Sequence, residues 1–222
     1  MKAQICLSVA ILLLSCNNTD SVSQKETNND TASVSAPADS SISVLRNDSM
    51  ALNTQNNIEA NKTIIPGESI GKAVLNTDAA NLETEFGKPD MSDAAMGKAW
   101  LTWYGKKDEH NNKTELNIYT TYKDTSMQEK TVQQIRTTSS FFSTENNVRV
   151  YSSLNEIKKA FPAIQNLNKL QGSNRNIFLY DDVQNGIAFE IADANDQKIC
   201  TAITVHIKGK KVADIYIPTP SP

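Results

Sequence analysis

The stretch TDAANLETEFGKP, residues 77–89, decides the predicted fold together with SSLNEIKKAFP at residues 152–162. Each stretch begins with a residue that can cap a helix, carries apolar side chains at positions i, i+3 and i+7, and ends at a proline. In the first stretch these apolar side chains are Ala79, Leu82 and Phe86. In the second they are Leu154, Ile157 and Phe161, each 75 residues further along the chain. The sequence therefore predicts two short amphipathic helices of the same design.

Segments with strand character follow each helix. They are Lys98–Tyr104, Thr114–Lys123 and Lys130–Ser139 after the first, Asn176–Tyr180, Gly186–Ile191 and Lys198–Lys208 after the second, and Val212–Ile217 as a candidate closing strand. The segments between them contain Asn, Asp, Gly and Lys, as hairpin loops do. We therefore predict an α+β fold of two tandem modules, 63–144 and 145–217, with a tail at 218–222. Each module is a short capped helix, or helix pair, packed on an antiparallel β-meander.

The N-terminus has the character of a secretory signal. Lys2 precedes an apolar run from Leu7 to Leu14 that is too short to span a bilayer. The end of this run, residues 13–16 (LLSC), resembles the lipobox of bacterial lipoproteins. The resemblance implies that residues 1–15 are removed as a signal peptide and that Cys16 is lipidated. It also implies an outer-membrane anchor with the domain facing the periplasm, with the cell surface as the other possible location. The alternative is an ordinary signal peptide in which Cys16 has no special role.

The segment from the anchor to residue 62 is predicted to be a disordered linker. All fourteen aromatic residues lie between Phe86 and Tyr216, and the linker consists mainly of Ser, Thr, Asn, Asp, Gln and Ala. Such a composition cannot bury enough apolar surface to offset chain entropy. We expect the folded domain to begin near Ile64.

The tandem layout is similar to that of the β-lactamase-inhibitor-like family. It also resembles the small lipoprotein of the outer-membrane assembly machine, which has a single module of related pattern. The residues that carry the resemblance are Ile70–Pro89, Val148–Pro162, the strands that follow them and the lipid anchor. The resemblance implies a protein that acts by binding other proteins, although the disulfides of the secreted inhibitors cannot form here, because Cys200 is the one cysteine left after Cys6 is removed and Cys16 is lipidated.

Charge and motif composition disfavour several function classes. The net charge of −3 offers no basic excess for a nucleic-acid backbone. Cys200 and His206 lie six residues apart on one predicted strand, so about 20 Å separates them, too far for a nucleophile and its base. The sequence has two histidines, too few for a structural zinc site once the cysteines are unavailable. We therefore predict a protein that is not an enzyme, with no metal and no cofactor.

The predicted binding surface lies on the strands. Ile199, Ile203, Val205 and Ile207 should face a helix, which leaves Cys200, Ala202, Thr204 and His206 on the opposite face. Strand aromatics give the first module large amphipathic side chains of the kind enriched at binding hot spots. Among these we select Trp100, Trp103 and Tyr119 as candidate binding residues. The leading hypothesis is a periplasmic lipoprotein that binds an envelope protein or peptide, and the alternative is a carrier of a small apolar ligand.

Overall fold

Strands predominate in the computed structural model, which describes residues 61–170, 176–194 and 197–215. Of the described residues, 49% lie in strands and 13% in helices. The predicted signal peptide (1–15), Cys16, the linker up to residue 60 and the tail (218–222) lie outside the described residues. Within the described ranges, no helix is long and apolar enough to cross a membrane.

The strands form two sheets. The small sheet contains β1 (Thr63–Ile65), β2 (Ser69–Ile70), β3 (Ala73–Val74) and β8 (Ser143–Thr144). The large sheet contains β4 (Met91–Ala95), β5 (Lys98–Lys107), β6 (Lys113–Tyr122), β7 (Lys130–Thr137), β9 (Gln165–Lys169), β10 (Ile177–Asp182), β11 (Ile187–Ala194) and β12 (Gln197–His206). The helices are α1 (Leu82–Phe86), α2 (Leu154–Ala160) and α3 (Val212–Ile215), and a 3₁₀ turn (Ala79–Asn81) precedes α1.

The large sheet is continuous, which overturns the predicted fold class. Its strand order is β4-β5-β6-β7-β12-β11-β10-β9, and β7 pairs antiparallel with β12, so that Ile135 lies opposite Val205. The expectation was α+β, with two helix-capped modules. It is wrong because β7 and β12, predicted to belong to separate meanders, pair with each other into one eight-stranded sheet and the protein is mostly β. The boundary at residues 144 and 145 directly follows β8 and stays a prediction.

Local signals explain where the helices begin and end. The Asp78 carboxylate accepts a hydrogen bond from the Ala80 N–H at the 3₁₀ turn, and Gly87, with a positive φ of 75°, ends α1. Ser153 caps α2 in a capping box with Glu156. Val212, predicted to start a strand, instead starts α3.

The core lies between one face of the large sheet and the first two helices. We call this side of the sheet the helix face. Its cluster combines Leu82 of α1 and Ile157 of α2 with sheet side chains such as Ile118, Ile135 and Phe189. Ile157, Ile118, Ile135 and Phe189 are fully buried. A second cluster on the opposite face packs Val212 of α3 against side chains of β10 and β11.

A β-bulge changes the predicted faces of β12. The register between β11 and β12 shifts after Glu190, which lies opposite Ala202, so that Ile191 lies opposite Cys200 and Thr201 is the extra residue. Cys200 therefore joins Ile203 in the core of the helix face. The prediction that Cys200 shares a face with Ala202 is wrong for this reason.

Candidate binding face

Polar side chains cover the face of the large sheet that is turned away from α1 and α2. We call it the polar face and define it by Trp100, Thr102, Asn117, Tyr119, Gln134, Arg136, Glu190, Thr204 and His206. Residues directly opposite each other in antiparallel strands share a face, and two rows cross β6, β7 and β12 in this way. One row is Asn117, Arg136 and Thr204, and the other is Tyr119, Gln134 and His206. All members except Trp100 are buried.

Arg136 is the centre of a hydrogen-bonded network on this face. Its Nε and Nη2 donate to the two carboxylate oxygens of Glu190 at 2.6 and 2.9 Å. Its Nη1 donates to Asn117 Oδ1 at 2.8 Å, and Asn117 Nδ2 donates to Thr102 Oγ1 at 3.0 Å. The network fixes four side chains from β5, β6, β7 and β11 and makes the centre of the face rigid.

Burial and neighbouring charges shift the pKa of Arg136 in opposite directions. Burial alone would lower the pKa of the Arg136 guanidinium, but the carboxylate of Glu190 and then that of Glu115 raise it above its ordinary value. Glu115 Oε2 lies 3.7 Å from Arg136 Nη1. The Arg136 guanidinium therefore stays charged despite its burial.

Gln134, beside this network, has an unsatisfied side chain. It is fully buried between Tyr119 of β6 and His206 of β12, and neither its Nε2 nor its Oε1 has a hydrogen-bond partner in the described part of the chain. Buried polar atoms are almost always paired, so an amide with both ends unpaired is an exception that needs a physical explanation. Gln134 is the one buried side chain of the described residues with this property.

A buried carboxylate–imidazole pair ties α3 to the polar face. His206 Nε2 lies 2.9 Å from Asp181 Oδ1, and both side chains are fully buried. The Val212 N–H at the start of α3 donates to the other carboxylate oxygen at 3.0 Å. Asp181 thus holds β12 and α3 together, which is a structural role.

The structure separates the three predicted binding aromatics. Trp100 and Tyr119 lie opposite each other on the polar face with ring centroids 6.4 Å apart. Trp103 lies on the helix face, where its Nε1 donates to the Gly87 carbonyl at 3.0 Å and its ring packs at 5.6 Å from that of Phe86. Trp100 and Tyr119 therefore belong to the candidate binding face, and Trp103 belongs to the core.

The side chains that could act as a nucleophile or as metal ligands do not lie together in one site. Cys200 and His206 point to opposite faces of the sheet, and burial raises the pKa of the Cys200 thiol well above its ordinary value. His110 packs edge-on against the ring of Tyr151 at 4.4 Å in the β5–β6 loop. Within the described ranges, no cluster of His, Cys, Asp and Glu side chains could hold a metal ion.

Sequence reasoning did not select Gln134, Arg136 or Glu190. A signal for Glu190 was present, because it is the one charged residue within the run Ile187–Ala192. A charge inside an apolar strand requires a partner, so its position predicts a buried ion pair. The identity of the partner depends on strand pairing across 54 residues, which local pattern does not encode.

Comparisons with known proteins give little further information. No family model matches the chain, and no curated protein matches it. It is similar to a solved structure of the DUF4309 family protein YjgB from Bacillus subtilis, with 13% identity, a TM-score of 0.39 and coverage of 71% of this chain and 97% of that one. It is also similar to the uncharacterized protein yfeY from Escherichia coli, with 10% identity, a TM-score of 0.34 and coverage of 64% and 98%. Similarities this weak support no conclusion about function.

Proposed function

We propose that this chain is a membrane-tethered, non-catalytic binding protein of the periplasm that recognises an envelope protein or peptide at the polar face. The observation that carries the proposal is the buried Gln134 amide, whose two ends have no partner among the described residues. A primary amide offers donor hydrogens and an acceptor oxygen side by side. An extended peptide presents the complementary pair, a carbonyl and an N–H, along its backbone.

The energetics favour a polar partner over an apolar one. An unpaired buried polar group costs about 1–3 kcal/mol. A peptide that displaces the groups covering Gln134 and pairs both ends of its amide would remove that cost. An apolar ligand, the alternative predicted from the sequence, would leave both ends unpaired. Trp100, half-buried and packed against the buried Tyr119, adds amphipathic contact area near the amide. The Arg136–Glu190–Asn117 network fixes the neighbouring side chains of the same face.

The tether is the part of the proposal that rests on sequence alone. Residues 13–16 resemble a lipobox, and acylation of Cys16 would hold the protein on the outer membrane. The domain would then meet partners that are themselves confined to the envelope.

Site-specific photocrosslinking in living cells tests this function. A photoreactive amino acid at Trp100 should give a discrete covalent adduct with an envelope protein, whereas the same group at Lys159, exposed on α2, should give none. Gln134→Met should abolish the adduct without lowering the stability of the fold, and the matched substitution of an exposed glutamine, Gln128→Met, should retain it. Equal adducts from Trp100 and Lys159, or an adduct unaffected by Gln134→Met, would refute recognition at the polar face.

A further inference from the structure

A groove of ligand size opens where β5 and β6 approach their connecting loop. Its volume is about 550 Å³, within the range of about 300–1,000 Å³ typical of small-molecule sites. Trp103, Leu116 and Thr137 line it from the sheet, and the connection between β7 and β8 lines it with Ser139, Ser140, Phe141 and Phe142. Trp103 and Leu116 belong to the helix face, whereas Glu115, which also lines the groove, contacts Asn117 of the polar face.

The groove continues the apolar core outward. Trp103 is buried, Leu116 is partly buried against the core, and Phe142 packs against the same cluster. The Phe141 ring stands edge-on to Phe142 at 5.2 Å and is 55% exposed. Met96 and Met127, which are also exposed, occupy positive-φ turn positions, whereas Phe141 is held beside other apolar side chains. The apolar surface is therefore suited to a hydrocarbon chain.

Positive charge surrounds the groove. Lys106 and Lys107 line it, Lys62 Nζ lies 5.7 Å from the centroid of the Phe141 ring, and Lys113 Nζ lies 3.3 Å from the centroid of Tyr104. Lys107 Nζ donates to Asn111 Oδ1 at 3.0 Å. Lys106, in contrast, has no side-chain partner in the ranges that the structure describes.

The two acidic residues that line the groove are already engaged. Asp108 accepts hydrogen bonds from the Tyr151 hydroxyl and from backbone N–H groups of its own loop, and the bond from Tyr151 is the main reason that its pKa is lowered. Glu115 Oε2 accepts from Asn117 Nδ2 at 3.3 Å and lies near Arg136. Neither carboxylate forms an ion pair with Lys106 among the described residues, so its ammonium group is available to an anion.

We propose that this groove binds a single-chain anionic amphiphile, a fatty-acid carboxylate. The hydrocarbon chain lies along Trp103, Leu116 and Phe142, with Phe141 covering it, and the carboxylate meets Lys106. Lysine acts here as a point charge, which suits a small anionic head without the paired geometry that an arginine would impose. This function is independent of peptide recognition at the polar face.

Equilibrium binding of two probes with the same chain length tests the proposal. Dodecanoate and dodecanol are titrated, below the concentrations at which they aggregate, into the exported full chain carrying Cys16→Ser, which has no acyl group of its own. Lys106→Glu should weaken dodecanoate binding about tenfold or more, as expected for loss of a charge-assisted contact, and should change dodecanol binding less than about twofold. Lys159→Glu, an exposed lysine outside the groove, should change neither.

Two further variants test the apolar part of the site. Phe141→Ser should weaken both probes, whereas Met127→Ser, which also alters an exposed apolar side chain, should weaken neither. Ser140→Trp should block both probes by filling the groove while leaving the core side chains in place. The proposal is overturned if dodecanoate does not saturate a single site, or if Lys106→Glu and Lys159→Glu act alike. Binding to anionic vesicles without binding of monomeric dodecanoate would overturn it in favour of a membrane surface.

Discussion

Replacing Glu190 by Gln should lower the free energy of unfolding by about 3 kcal/mol. The change leaves the Arg136 guanidinium charged in a site where 9% of its side chain is exposed, and removing one partner of a buried ion pair costs about 3–5 kcal/mol. Glu115 remains 3.7 Å from Arg136 Nη1 and is 21% exposed, so it compensates part of the charge. This residual partner places the expected cost at the lower end of the range.

Removing both charges should cost less than removing one. In Arg136→Met with Glu190→Met no buried charge remains, and apolar replacements of buried pairs are often neutral. Asn117 Oδ1 would lose its donor, however, which costs about 1–3 kcal/mol. The double variant should therefore be about 1–2 kcal/mol less stable than the unaltered chain, and a double-mutant cycle should give a coupling energy above about 1 kcal/mol.

Urea unfolding followed by tryptophan fluorescence measures these differences, provided that the slope with urea stays constant between variants. The matched control is Glu85→Gln, whose partner Lys72 lies 2.5 Å away at the surface, with side chains 41% and 55% exposed. This exposed pair should contribute under about 1 kcal/mol. If Glu190→Gln cost no more than Glu85→Gln, the network would not hold the polar face together, and the reasoning would be wrong.

Gln134→Met should raise the free energy of unfolding by about 1–3 kcal/mol in the same assay, because it removes a buried amide that lacks partners; a loss of stability would show that the amide is paired. Ile157→Ala should cost about 2–5 kcal/mol and its exposed neighbour Lys158→Ala under about 0.5, so equal costs would contradict the helix phase. The Cys200 thiol, buried and with a raised pKa, should react with an aromatic disulfide only after unfolding, and rapid reaction of the native protein would contradict its burial. Cys16→Ala should abolish incorporation of labelled fatty acid, and retained label would exclude Cys16 as the acylated residue.

The helix stripes could be predicted because their cause is local. Apolar spacing over seven residues placed Leu82 and Ile157 on buried faces, and both are buried, while Glu83 and Lys158 are exposed. A helix places residues three and four apart on one side whatever the rest of the fold does. Such predictions depend only on residues within one or two turns.

The strands were predictable only where burial imposes a pattern. The long strands β5, β6, β7, β11 and β12 carry apolar side chains toward the core and were placed within a few residues. β4 was missed because all five of its residues are exposed, so no alternation marks it. The pairing of β7 with β12 was also missed, since a match between distant strands leaves no local trace, and this pairing decides the fold class.

The aromatic candidates show which part of the site was within reach of sequence reasoning. Trp100 and Trp103 are an odd number of residues apart on one strand, so a period of two already assigns them to opposite faces. Gln134 and Arg136 are an even number apart and share a face for the same reason. The two-residue period of a strand does not predict which residue of another strand lies beside a given side chain. Arg136 meets Glu190 because β7, β12 and β11 are adjacent, whereas Gln134 finds neighbours that offer it no hydrogen bond. The difference between a satisfied and an unsatisfied buried group, on which the proposed function depends, therefore arises from the sheet order and not from either strand alone.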